Sequence, residues 1–457
     1  MRKNLLFPIE SYEREIDYKL ILAAMSTDED SDIYLGQHDM IFQISQFMKG
    51  GIYLGKNSMM RTQEGNWSSE RHKELKKNDF TVIHLDEEGA VYYGLEEEWI
   101  NKLINLRIDL SVMDHDDFMC TWGEFQKNIY EERSKVPQSN IFNTGHPRFD
   151  LPSKKYSILY EDEVLEKKSK YGDFILICAN FGLYNNPLGT RDTFSGRFGY
   201  DNITQLWGFT GRLFVEFIEL ISLINSTHPD KTIVIRPHPS EDLSIYNDIF
   251  FKRDNVHVVR EGAVLPWLIA SNLMIHDGCT TAIEAHLADT HVINFHPFHH
   301  DQTNMYLPNT LGLKCESKDE VMEAINTIFD NQEINPLDPK ENSLALSLLK
   351  NLHGENNSFE QVLNVIRLIN SKIEKCEFNK LSFRFFLFRD SVFQFLKNII
   401  RPLFPKRAAR YKVLKDHFSG FYKKDLEVKI KNLSKILDKE IEYEIIDSNL
   451  IKISLVK

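Results

Sequence analysis

Between residues 232 and 297 two short apolar runs of β-forming residues each end in a polar turn, and this pairing constrains the fold more than any other feature of the chain. Thr232–Ile235 runs into Arg236-Pro237-His238-Pro239. Leu273–Ile275 runs into His276-Asp277-Gly278-Cys279-Thr280-Thr281 and then directly into the helical pattern that begins Ala282-Ile283-Glu284-Ala285. In open α/β sheets, ligands sit at the carboxyl ends of strands, where loops enter helices. One of these loops is basic and the other is Gly/Thr-rich at a helix start, which together suit the phosphates of a nucleotide.

The rest of the chain supports an α/β reading. Lys3–Pro8 reads as a strand and Arg14–Met25 as a helix with Ile16, Leu20 and Ala23 on one face. Asp32–Leu35 follows as a strand and Asp39–Met48 as a helix. Gly51–Leu54, Thr81–Leu85, Phe118–Thr121 and Ile141–Thr144 read as further strands. This alternation predicts a mostly parallel sheet. The lysine-rich stretch 154–170 suits an exposed connector. A second α/β region opens at Phe174–Ala179, whose unbroken apolar run implies a strand buried on both faces, and continues through a long helix at Leu213–Ile224. The division expected is 1–160, 161–335 and 336–457. Ser343–Leu352 and Phe359–Ile373 read as helices, and Ile441–Ile446 with Leu450–Val456 around Asp447-Ser448-Asn449 as a terminal hairpin.

A chain of 457 residues exceeds what one core usually serves. Its net charge of −12 argues against general nucleic-acid binding. No run approaches the ~20 apolar residues of a membrane span. The opening MRKNLLFPIESYERE turns acidic too soon for a signal peptide and reads as a buried strand, so a cytoplasmic protein is expected. Five widely spaced cysteines indicate neither a disulfide framework nor a zinc site.

The segments PIESYEREIDYKLILAA, IYLGQ, GGIYLGKN, LDEEGAVYY, TGHPRFD, NFGLYN, IRPHPSED and HDGCTTAIEAHLADTHVINFHP, in that order, resemble the bacterial surface carbohydrate biosynthesis proteins over most of residues 3–300. The resemblance implies the GT-B glycosyltransferase architecture: two Rossmann-like domains with an interdomain cleft, followed here by a C-terminal helical and basic extension. It places the chain near transferases of CMP-activated ulosonic acids such as Kdo, which serve capsule, lipopolysaccharide and O-antigen assembly. In outline, the HP and Asp-Gly-x-Thr-Thr segments are also shared with CDP-glycerol-type polyol-phosphate transferases, and TGHPRFD is similar to the domain boundary of non-hydrolysing UDP-sugar 2-epimerases. Departures are His276, where a serine would be common, and Ala288-Asp289-Thr290 in place of a frequent Ala-Gly-Lys/Thr turn.

On that reading Arg236 and His238 donate to donor phosphate or ribose oxygens; the alternative is a rigid loop with a surface histidine. Gly278 allows close backbone approach, Thr280 and Thr281 offer hydroxyls, and Glu284 accepts from a ribose hydroxyl, while Asp277 or Thr280 equally suits a helix cap. Glu10, Arg14, Glu15 and Asp17 follow the first strand, where GT-B enzymes place catalytic or acceptor-binding charge; an acidic helix start is the plainer account. Of Asp86-Glu87-Glu88, Glu88 is the candidate general base or acid, against a solvated turn. Asp277, or a carboxylate of the first domain, acts at the anomeric centre. Asn180, Tyr184 and Asn185 suit sugar hydroxyls or a cytosine edge, or simply a loop. His146 and Arg148 are weaker candidates, and Asp150 reads as a cap. His296, His299, His300 and Asp301 lack the spacing of a helix-borne metal site and read as a donor-base contact or polar loop.

Residues 383–404 combine phenylalanines with Arg384, Arg389, Lys397 and Arg401, and Pro405–Arg410 adds charge; an interfacial helix at anionic lipid is expected, against a helix packed on the body. The function expected is transfer of a sugar from a nucleotide-sugar donor to a polysaccharide or lipid-linked acceptor at the inner membrane surface. Neither cofactor nor metal enters this reading, because CMP leaves as a monoester. The alternatives are a CDP-polyol phosphotransferase and a non-catalytic assembly or export adaptor, with an epimerase behind both.

Overall fold

The computed structural model describes residues 2–56, 58–61, 67–195, 200–299, 303–330, 342–354, 357–373, 376–404 and 417–456, with 408, 411 and 415 besides. It has the expected α/β class, with one large, mostly parallel sheet in each of two compact units. The first unit comprises Met1–Gly89, Ile104–Leu151 and Leu349–Lys457; the second comprises Ala90–Leu103 and Pro152–Leu348.

Six parallel strands form most of the first sheet: β1 (Lys3–Ile9), β2 (Ser31–Gln37), β3 (Gly51–Leu54), β4 (Phe80–Leu85), β5 (Phe118–Thr121) and β6 (Ile141–Asn143). The second sheet is parallel throughout: β7 (Phe174–Cys178), β8 (Thr232–Arg236), β9 (Val256–Val258), β10 (Leu273–His276), β11 (His291–Phe295) and β12 (Leu313–Cys315). The terminal hairpin, β13 (Ile441–Asp447) and β14 (Leu450–Leu455), returns to the first sheet, so its order is β13-β14-β2-β1-β3-β4-β5-β6. β14 runs antiparallel to β2, with Leu450 opposite Gly36 and Ile453 opposite Ile33. It covers a strand edge that would otherwise present unpaired backbone groups.

The helices follow from the same patterning. α1 (Tyr12–Met25) begins two residues before the expected start, and α2 (Tyr200–Thr227) extends well beyond the predicted core of Leu213–Ile224. Phe209, Phe214, Phe217, Ile221 and Ile224 of α2 pack against Ile175, Ile177, Ile233 and Ile275 of the second sheet. α3 (Thr281–Leu287) follows β10 directly. The later helices are α4 (Ser358–Asn370), α5 (Lys380–Ile400) and α6 (Lys423–Leu437). Among the described residues, no helix is long and apolar enough to cross a membrane.

The C-terminal region differs from the expected extension. Residue 335 lies outside the described residues, and from Leu349 onward the chain belongs to the first unit. Phe383 and Leu450 enter the core around Leu6, Tyr34, Tyr53 and Val82; burying Phe383 fully stabilises by roughly 2–3 kcal/mol. Polar groups tie the same seam. Asn351, wholly buried, donates from Nδ2 to Asp150 Oδ1 at 2.7 Å, while its Oδ1 accepts from the His146 amide at 2.9 Å. Asp150 Oδ2 accepts from Phe359 N at 3.0 Å, so this residue does cap a helix, but the helix is α4, two hundred residues away.

Burial pushes the Asp150 carboxyl up to about 7, outweighing the hydrogen bonds from Phe359, Ser358 and Asn351. A folded-state pKa raised above the ordinary 3.8 gives stability that is full below about pH 4 and is lost as pH rises through 7. At about 1.4 kcal/mol per unit the ceiling is about 4 kcal/mol. Urea unfolding between pH 5 and pH 8 is therefore expected to show the wild type losing stability relative to Asp150→Asn across that interval; parallel profiles would refute this.

Candidate functional site

The second sheet runs β9-β8-β7-β10-β11-β12, so chain order within the unit is 3-2-1-4-5-6. The chain reverses direction across the sheet between β7 and β10, and the crevice beyond the carboxyl ends of these strands is where doubly wound sheets take their ligands. Cys178, the last residue of β7, is in register with Arg236 on one side and His276 on the other. The two signature turns therefore leave the same edge of the sheet, separated by a single strand. Asn180 stands exposed just past β7.

On the β10 side, Gly278 adopts φ +61, a conformation side chains disfavour, and a Cβ there would lie 3.1 Å from Met305 Cγ. Its amide donates to Asn309 Oδ1 at 2.9 Å. Thr280 precedes α3 without capping it through its side chain. Thr281 Oγ1 accepts from the Cys279 thiol at 3.2 Å; burial raises that thiol's pKa and keeps it protonated, as suits a small packing residue. Glu284 is 7% exposed on the first turns of α3. His276 is wholly buried, with Nδ1 accepting from the Cys279 amide at 3.3 Å. Burial depresses its pKa to about 3, so it stays neutral.

Asp277 has a partner in His296, at the end of β11: Oδ1 lies 2.7 Å from Nδ1. An ionised Asp277 makes that nitrogen the donor and leaves Nε2 as the basic end of the ring. His296 Nε2 is buried without a hydrogen-bond partner among the described residues. The pair has the carboxylate–imidazole form that moves protons. The sequence singled out both residues but did not join them. His299 lies with its ring 6.0 Å from that of His296, while His300 and Asp301 fall outside the described residues.

The turn after β8 departs from expectation in one respect. Arg236 donates to the carbonyl oxygens of Glu261 at 2.8 Å and Gly262 at 2.9 Å, and its guanidinium lies 5.1 Å from the Trp267 ring centroid. It braces the loop after β9, so its planar fork is engaged by the protein itself. His238 Nδ1 accepts from Ser240 N at 3.2 Å, which places the proton of the neutral ring on Nε2. Glu241, 1% exposed, organises this turn: it accepts from His238 N at 2.8 Å and from Tyr246 OH at 2.6 Å. Burial raises its pKa. Asn185, expected on a substrate, instead donates to the Asp242 carbonyl at 2.8 Å and accepts from the Asp242 amide at 3.0 Å. This staples the loop after β7 to the turn after β8. A Cβ on Gly182 would lie 2.0 Å from Ser240 Oγ, so only glycine permits that approach.

In the first unit the order β2-β1-β3 places another reversal between β1 and β3. Glu10 follows β1 and pairs at 2.7 Å with Lys56, which follows β3. Arg14 reaches Glu88 at 2.9 Å, and Arg107 pairs with the other oxygen of Glu88. Burial alone would raise the Glu88 pKa, but Arg107, Arg14 and Lys56 hold it well below the carboxylate range. Glu88 is therefore an ionised partner of two guanidiniums. Lys56 and Arg107 escaped the sequence reading; Lys56 was marked only by its place after the strand-ending GIYLGKN.

Glu15 and Asp17 do not share a site. Two residues apart on α1, they lie on different faces. Glu15 is wholly buried and accepts from the amides of Glu10 and Ser11, each at 3.0 Å, and from Lys19 at 2.9 Å. Its oxygens serve the entry to α1, which corrects the expectation of a catalytic role. Asp17 pairs at 2.5 Å with Lys429 of α6. Beneath Glu15, Lys19 also meets Glu87 at 2.9 Å, and Tyr18 donates to Glu87. His146 approaches the other Glu87 oxygen at 3.5 Å. Burial would raise the Glu87 pKa, yet Lys19, His146 and Arg14 hold it well below the usual value.

Arg236→Met is expected to lower the free energy of unfolding, measured with urea, by about 1–2 kcal/mol, through loss of two carbonyl bonds and a ring stack. An arginine serving only a ligand would leave stability unchanged.

No protein-family profile matches the chain, and no curated protein matches it. Solved structures do align at low identity. The UDP-GlcNAc 2-epimerase of Methanocaldococcus jannaschii is 13% identical over 80% of this chain and 100% of that one, with a TM-score of 0.49. The Neisseria meningitidis enzyme of the same name is 13% identical over 80% and 99%, at 0.45. The wall teichoic acid polymerase TagF is 11% identical over 81% and 89%, at 0.48. At these values nothing about activity passes from those proteins to this chain.

Proposed function

We propose that the second unit binds a nucleotide-sugar donor at the reversal between β7 and β10, and that the protein is a glycosyltransferase of bacterial surface-polysaccharide assembly. The observation that supports this most is the 3-2-1-4-5-6 order, which sets Asn180 and Asp277–Thr281 on adjacent strand ends. Gly278 admits a phosphate close to the backbone, Thr280 and Thr281 offer hydroxyls, and His238 offers its Nε2 proton. Glu284 receives a ribose hydroxyl. The donor proposed is a CMP-activated ulosonic acid such as Kdo, moved to a polysaccharide or lipid-linked acceptor on the cytoplasmic side, in the making of capsule, lipopolysaccharide or O-antigen.

Asp277 and His296 act as the proton-handling pair. In the transfer, the acceptor hydroxyl bonds to the anomeric carbon as the bond to the CMP oxygen breaks. The acceptor proton passes to the carboxylate of Asp277, the more open member of the pair, which His296 holds in place. Glu10, Arg14 and Glu88, with Lys56 and Arg107, form a charged group in the first unit for acceptor recognition. No metal takes part in this scheme.

Calorimetric titration is expected to show CMP binding, weakened about tenfold by Thr280→Ala, the value of one lost hydrogen bond near 1.4 kcal/mol. CMP-Kdo is expected to be turned over by the wild type and not by His296→Ala. Turnover confined to UDP-sugars rejects the CMP donor, a phosphorus-bearing product identifies a polyol-phosphate transferase, and absence of any nucleotide binding rejects the reading as a whole.

A further inference from the structure

α5 presents its most apolar face to solvent. Leu381, Phe385, Phe388, Val392, Phe395 and Ile399 recur at alternating spacings of four and three, one stripe along about 27 Å of helix. Leu381 is 81% exposed, Phe385 69%, Phe388 68% and Phe395 65%. The opposite face of the first turns is anchored. Phe383 is buried in the core of the first unit, and Phe386 and Leu387 pack against it beside Phe47 and Phe378. That anchor fixes the direction in which the stripe looks. From Ser391 to Ile400 every residue except Gln394 is exposed, so among the described residues this part of the helix has no packed side.

The flanking charges indicate what covers the stripe. Arg384 and Arg389 border it on either side, Lys380 stands at the helix start, and Lys397 and Arg401 lie toward the end. Asp390 and Asp416 are the acids between residues 379 and 417, in a chain whose net charge is −12. Pairing with a second copy is disfavoured. The four–three spacing would put Arg384 and Arg389 at the positions where paired helices exchange salt bridges, and no acid there could answer them. An anionic surface answers both features at once. Where the stripe meets the body, Phe47, Leu381, Phe385 and Phe386 line an open groove of about 420 Å³ with Arg389 among them.

We propose that α5 docks this protein on an anionic lipid bilayer, lying in the interface with its phenylalanine stripe among the upper acyl chains and Arg384 and Arg389 on headgroup phosphates. The positive segment also orients an otherwise acidic molecule, turning this face to the membrane and the remainder away. The proposal stands independently of the donor and of the chemistry at β7 and β10.

Flotation tests it, using vesicles of phosphatidylcholine alone and of equal parts phosphatidylcholine and phosphatidylglycerol. The wild type is expected to float with the mixed vesicles, less so as salt is raised, and to remain behind with phosphatidylcholine. Phe388→Glu with Phe395→Glu, and separately Arg384→Glu with Arg389→Glu, are each expected to lower partitioning at least about tenfold. All four positions are exposed, so far-UV circular dichroism and melting temperature are expected to match the wild type, and nucleotide binding to be retained. Equal flotation of wild type and both variants overturns the proposal. So does a wild-type dimer in light scattering that Phe388→Glu with Phe395→Glu converts to monomer, since the stripe would then be a self-association face.

Discussion

In a parallel sheet every strand delivers its chain to the same edge, and the placing of this protein's two polar turns depends on that polarity. β8 and β10 flank β7, so their turns emerge about 10 Å apart, two strand spacings, whatever the sequence between them. No long-range side-chain contact is needed to bring His238 and Thr280 to a common edge. The side chains refine the arrangement: Glu241 orders one turn, Asn309 holds the amide of Gly278 in the other, and Asn185 binds the intervening loop to the first.

The first unit meets a harder electrostatic problem. Lys19 is wholly enclosed between Glu15 and Glu87, with the Pro8 carbonyl as a further acceptor. Removing three charges from water costs several kcal/mol per ion, which their attraction offsets only when the geometry is satisfied on all sides. Here each group has more than one partner. Such a set adds little net stability, but deleting one member strands the others. Its effect is to hold the ends of β1, β4 and β6 in one arrangement beneath the more exposed Glu10, Lys56, Arg14, Glu88 and Arg107.

Strands and the α/β class were legible because buried parallel strands are continuous apolar runs, and FILICA or TVIHL can hardly be anything else. Sites were legible only as places. Acidic residues gathered after β1 looked like one cluster, but the turn of α1 separates Glu15 from Asp17, and a reading by proximity in sequence misses that rotation. Arg236 looked like a ligand arginine because its type and position fit; that two carbonyls and Trp267 claim it depends on a loop twenty-five residues further on. Arg107 carried no local signal at all. The C-terminal region was misplaced for a related reason, since nothing in an alternating hairpin names the edge it will join, and Asp150 gives no sign that its helix lies two hundred positions away.

The return of β14 to β2 has a consequence for the order in which this molecule is made. The second unit is almost continuous in the chain and is entirely synthesised by Leu348. The first begins earlier yet lacks its outer strand until residues beyond 450 have left the ribosome. A nascent chain thus carries β2 with a bare edge through most of translation, while the later-starting unit can already close. The edge of β2 stays open until the hairpin is made, and a chain that stops short of it presents an open template for strand pairing.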